Sequence, residues 1–199
     1  MKYIRKKSGE TLVEAIVSLT ILIITTAVAS STVIYAMQSV ALSRNYLVAQ
    51  NLGDETIEIV KNIRNTNAMI SSTDIDACWT VINPDTNCSD PGNKLADGAT
   101  YIPKLDSTSN RWILVSTTTP ADFQVYKKLV SSPGDPEVYV YTNDSASATA
   151  TNYYRHIKVT GITEEGGVPV SILIEVKVWW YGGSKYNELK GVTLITNHE

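Results

Sequence analysis

Lys6-Lys7-Ser8-Gly9-Glu10-Thr11-Leu12-Val13-Glu14 leads into a run with no charged residue from Ala15 to Ser43. Basic residues come first, then a small-residue junction, then a single carboxylate, then the apolar run. At about 1.5 Å of rise per residue, that run is long enough to cross a bilayer core as a helix. It contains neither proline nor glycine, so no kink is written into it. Glu14 sits at its mouth, and a lone acid there is costly in lipid unless it finds a partner. A conventional secretory signal places its apolar core before the cleavage site. Here the candidate junction, Gly9-Glu10, precedes the apolar run, so cleavage there would leave the membrane segment on the mature chain. The charge excess before it is expected to hold residues 1–9 in the cytoplasm. Ser18, Thr20, Thr25, Thr26, Ser30, Ser31 and Thr32 interrupt the aliphatics. Small residues of this kind let helices approach closely when a segment leaves lipid to pack on others.

The helix is expected to continue beyond the membrane length. Ala49, Leu52, Thr56, Ile59 and Ile63 recur at spacings of three and four, which makes one apolar stripe. Asp54, Glu58, Lys61 and Arg64 lie mostly off it, and Glu58 can reach Lys61. Gly53 is a weak point of about 1 kcal/mol against alanine. Asn65-Thr66-Asn67 is expected to end the helix, with Ser71-Ser72-Thr73-Asp74 as linker.

Beyond Cys78 the period changes. Strands are expected at Trp79–Ile82, Arg111–Thr117, Phe123–Leu129, Val138–Thr142, Tyr153–Val159, Val170–Tyr181 and Val192–Thr196. The alternation is clearest in Val170, Ile172, Ile174, Val176, Val178 and Trp180, which share one face. Tyr153–Val159 is expected to pair antiparallel with Val170–Trp180 through a connection from Thr160 to Gly167. Val192–Thr196 would then close a meander, with turns at Gly182-Gly183-Ser184 and Gly191. Asn83–Thr100 and Asn143–Asn152 read as polar surface loops.

The net charge is −3, but Lys2, Arg5, Lys6 and Lys7 all lie in the first nine residues. Without them, 13 Lys and Arg face 20 Asp and Glu, a net charge of −7. No Lys/Arg cluster follows Lys7, so nucleic acid is not an expected partner. Eleven tyrosines against one phenylalanine, with abundant Thr, Ser and Val, suit exposed β-structure outside the cell. In an exported chain Cys78 and Cys88 are expected to form a disulfide, worth roughly 2–3 kcal/mol for so short a loop. Free thiols would instead mark a reducing compartment. An enzyme needs a nucleophile with its base, or a metal cage. His156 and His198 lie far apart, and no phosphate loop, Gly-x-Ser-x-Gly or His-x-x-His occurs. Asp74 with Asp76, or Asp85 with Asp90, could ligate calcium in a loop, but Asp is common in loops and the pattern is a weak signal for such a site. Trp79, Trp112, Trp179 and Trp180 are expected in core and strand packing rather than in a binding face. No catalytic residue, cofactor or metal is expected.

Gly9-Glu10-Thr11-Leu12-Val13-Glu14, followed by Ala15-Ile16-Val17-Ser18-Leu19, resembles the prepilin-type signal of type IV pilins and type II secretion pseudopilins, in its minor-pilin variety. Thr11, Leu12 and Glu14 fall at the family's positions, while Glu10 stands where the family most often has phenylalanine. Asn51–Arg64, Arg155, Val159, Val176–Trp179 and Val192–Asn197 carry weaker likenesses. The resemblance implies an α+β pilin fold, a long N-terminal helix packed on a small antiparallel sheet. The implied parts are a leader (1–9), a transmembrane or protruding helix (10–40), an amphipathic half (41–67) and a β head (68–199). It implies cleavage and N-methylation at Gly9 and Glu10 by a membrane prepilin peptidase. Assembly contacts fall to Thr11, Leu12 and Glu14, with Glu14 pairing the N-terminal amine of a neighbouring subunit. Implied partners are other pilin subunits, an inner-membrane assembly platform and, before assembly, lipid. The precursor would be single-pass in the cytoplasmic membrane with its head outside, and the product a cell-surface filament. An uncleaved, signal-anchored extracytoplasmic binding domain is the competing expectation.

Overall fold

The computed structural model describes residues 10–70, 75–85, 90–106, 108–130, 138–182 and 185–197. The chain divides into two compact units, the first ending at Tyr46 and the second beginning at Leu47. One helix, α1 (Glu10–Ile70), runs through both. The remaining elements all belong to the second unit. They are α2 (Ile75–Cys78), β1 (Thr100–Leu105), β2 (Trp112–Ser116), β3 (Gln124–Val130), β4 (Val138–Thr142), β5 (Ala148–Glu165), β6 (Val168–Gly182) and β7 (Lys185–Thr196), with two short 3-10 turns at Pro91–Asn93 and Pro120–Phe123. The expected α+β arrangement is present, with a long apolar N-terminal helix packed on an antiparallel sheet.

Every strand pair is antiparallel. β5, β6 and β7 form the expected meander, with Tyr153 opposite Trp180 and Ile174 opposite Thr193. On the other edge of β5 sit two hairpins. β3–β4 pairs along its first half, and β1–β2 joins at Thr100 and Tyr101. The β5–β6 connection is tighter than expected. Glu165 still pairs with Val168, so only Gly166 and Gly167 turn, with φ of 61° and 81°. Two successive positive φ values suit glycine, and this turn matches the twist of the strands it joins.

The core forms where two sequence periods meet. Ala49, Leu52, Thr56, Ile59 and Ile63, the helical stripe, are all buried. So are Ile172, Ile174, Val176, Val178 and Trp180, the inward face of β6. Ile157 and Val159 from β5 and Ile195 from β7 complete the layer. Each large side chain buried in this way contributes about 1.5–3 kcal/mol. A Cβ at Gly53 would sit 3.7 Å from Leu189 and 3.9 Å from Val178, ordinary contact distances, so the site has room for a methyl group and little more.

Four expectations are corrected. Asn65-Thr66-Asn67 does not break α1, which continues to Ile70. Asn67 extends the buried stripe one turn past Ile63, and its Nδ2 donates to the carbonyls of Val81 (2.8 Å) and Trp79 (3.4 Å). That tertiary anchoring outweighs asparagine's weak helix propensity. Trp79–Ile82 is no strand; it is a turn with one bridge, from Val81 to Lys94. Trp79 and Val81 are buried, Ile82 is partly buried, and Trp79 Nε1 donates to the Pro169 carbonyl at 2.9 Å. Gly191 is not a turn but lies inside β7 opposite Val176, with Ile57 over it. The ends of both presumed loops are strands, since β1 begins at Thr100 and β5 at Ala148. Residues 71–74, the expected linker, lie outside the described residues.

Candidate assembly segment

In the first unit α1 is a bare helix. Leu12 is 63 % exposed and Ile24 62 %, and the other large apolar side chains up to Leu42 are at least about half exposed. This part of α1 is long and apolar enough to cross a membrane. Six of its hydroxyls bond back to carbonyls of the same helix. Thr20 donates to the Val17 carbonyl at 2.8 Å, Thr26 to Leu22 at 2.8 Å, Ser30 to Thr26 at 2.8 Å and Thr32 to Val28 at 2.7 Å. Thr25 and Ser31 bond back in the same way. A hydroxyl that bonds to its own helix carries no unmet donor into an apolar medium. The run therefore remains apolar in effect despite its Ser and Thr content.

Glu14 breaks that pattern. It projects exposed from the first turns of α1, among Leu12, Val13, Ile16 and Val17, all exposed. Among the described residues it has no ion-pair partner. Thr11 and Leu12 lie on the same exposed turns, and Glu10 is the first residue of the helix. Gly9 lies outside the described residues, as does the rest of the expected leader. The chain matches no family model, no curated protein and no solved structure.

The second unit holds a polar centre that sequence reasoning did not isolate. Arg155 of β5 points inward and is fully buried. Its Nε donates to Asn143 Oδ1 at 3.0 Å, and Nη1 to Glu55 Oε2 and Thr56 Oγ1, each at 3.3 Å. Nη2 donates to the Tyr141 carbonyl. Asn143 in turn gives its Nδ2 to the carbonyls of Asp122, Phe123 and Gln124. One guanidinium thus ties α1, β4 and β5 together. Burial lowers the Arg155 pKa to about 10, against the opposing pull of Glu55. Burial raises the Glu55 pKa, partly offset by the charge and hydrogen bond of Arg155. A signal for this centre does exist in the sequence. Arg155 occupies an inward position in the alternation that continues with Ile157 and Val159, where only an aliphatic residue would be ordinary.

The remaining candidates have local roles. Asp85 pairs with Arg111 at 2.7 Å, Asp90 caps the turn at Gly92, and Asp76 accepts from Asn197 at 2.7 Å. Asp74 and His198 lie outside the described residues. Cys78 is buried, and Cys88 lies outside the described residues, as does the pairing expected between them. Glu58 and Lys61 pair at 2.8 Å on the helix surface. Trp79 and Trp180 are in the core, Trp112 packs against it, and Trp179 stacks outward on Tyr154 at 5.5 Å.

Proposed function

We propose that this chain is a structural subunit, a minor pilin or pseudopilin, of a type IV pilus-like surface filament. The observation that carries this reading is the exposed carboxylate of Glu14 at the head of an exposed run of α1 that has no charged residue from Ala15 to Ser43. A bare carboxylate in a bilayer costs about 3 kcal/mol on insertion scales. Cleavage after Gly9 would create an amine at Glu10, one helical turn from Glu14. Pairing Glu14 with that amine on a neighbouring subunit offsets the desolvation of both groups and sets the axial register between subunits. The exposed faces from Leu12 to Met37 then bury against their counterparts. A head-to-tail contact that does not close on itself gives an open filament. Before assembly the same helix holds the precursor in the cytoplasmic membrane, head outside. A disulfide from Cys78 to Cys88 belongs to this exported reading, and no free cysteine occurs among the described residues.

Glu14→Ala tests the proposal. The variant is expected to be cleaved and membrane-bound but absent from sheared surface fibres. Fibre incorporation at the level of the unaltered chain would refute the role of Glu14.

A further inference from the structure

We propose that β7 is a self-association edge, pairing antiparallel with β7 of a second copy about a two-fold axis at Leu189. Among the described residues β7 is paired on one side only, by β6. An open edge strand presents unpaired N–H and C=O groups to another chain. Its side chains alternate strictly. Tyr186, Glu188, Lys190, Val192 and Leu194 are exposed on the outward face, while Leu189 and Ile195 face the core.

The outward sequence sets the register. A two-fold axis normal to the sheet keeps outward residues opposite outward residues, as a continuous sheet requires. With the axis at Leu189, Glu188 meets the partner's Lys190, and Lys190 meets the partner's Glu188. Tyr186 then faces the partner's Val192, and Leu189 faces the partner's Leu189. Shifting the axis by one residue sets Glu188 or Lys190 against its own copy, and directly opposed like charges destabilise a strand pair. Shifting it by two toward Gly191 sets both charges against aliphatic side chains. The charges that discourage indiscriminate edge pairing therefore favour the register with the axis at Leu189. Within a chain Glu188 is held by Lys177 and Tyr186, each at 2.8 Å, whereas Lys190 reaches it only at 3.9 Å. Lys190 is thus held more loosely by Glu188 than Lys177 is. A two-fold contact closes after two copies. It differs from the open contact proposed for the filament and does not depend on it.

The test uses the full chain in detergent micelles, as an equimolar mixture of ¹⁴N- and ¹⁵N-labelled protein. Carbodiimide joins a carboxylate to a touching amine, and mass spectrometry separates links within a chain from links between chains. Mixed-isotope Glu188–Lys190 links are expected. Glu188→Lys and Lys190→Glu should each weaken self-association at least about tenfold, while an equimolar mixture of the two variants should restore it. An unaltered chain that yields only same-isotope links, or variants that self-associate as well alone as in mixture, would overturn the proposal. Circular dichroism of each variant, expected to match the unaltered chain, separates lost pairing from lost folding.

Discussion

Replacing Arg155 with methionine removes every donor of the buried guanidinium while leaving a side chain of comparable length. Two acceptors then lose their partner inside the head, Asn143 Oδ1 and the Tyr141 carbonyl. A buried acceptor left unmet costs about 1–3 kcal/mol. Glu55 loses its counter-charge as well, but its side chain is 33 % exposed and takes up water, so its share is discounted. The sum falls near the 3–5 kcal/mol typical of breaking one side of a buried ion pair. That is a large part of the 5–15 kcal/mol that holds an ordinary domain. Urea unfolding of the detergent-solubilised chain, followed by tryptophan fluorescence, reads it directly, because Trp79 and Trp180 lie in the same core. Glu55→Gln serves as the comparison. It keeps an acceptor near Arg155 and should cost about 1 kcal/mol or less. If Arg155→Met is within 1 kcal/mol of the unaltered chain, or if Glu55→Gln costs as much, the centre does not join helix and sheet as argued.

Two further outcomes follow from the same packing. Gly53→Ala should stabilise by up to about 1 kcal/mol, since its Cβ meets only ordinary contacts, whereas Gly53→Leu should cost about 1–3 kcal/mol against Leu189 and Val178; thermal melts of both variants check this. The Glu55 pKa is raised in the folded chain, so the folded state binds this proton more tightly than the unfolded state does. Stability from this group is therefore present below the ordinary carboxylate pKa of 4.5 and is lost as pH rises through the folded value. The stability difference between the unaltered chain and Glu55→Gln should fall as pH rises through that window, and a difference that rises there would reverse the assignment.

The parts of the fold that were readable in the sequence are those where one period runs long enough to leave no alternative. The stripe from Ala49 to Ile63 and the alternation from Val170 to Trp180 are such runs, and they face each other across the core. Short apolar runs were ambiguous. Trp79–Ile82 is apolar because it is buried, not because it is a strand. β1 was hidden by Pro103, yet its pairing with β5 stops at Tyr101, and a strand that has become an edge tolerates proline. Asn67 and Gly191 look like breakers and are neither, since each serves a contact distant in sequence. Arg155 was hidden for the same reason, because its partners Glu55, Tyr141 and Asn143 come from other elements. The segment proposed for assembly differs. Its chemistry is local, and Glu14 within an uncharged run was visible from composition alone.

The most direct test of the account is the N-terminus of the protein in surface fibres, read by mass spectrometry of the intact chain and of its first peptide. The account predicts a chain beginning at Glu10 with a methylated α-amine. A fibre-borne chain that still carries residues 1–9, or a chain found only uncleaved in the membrane, would contradict it.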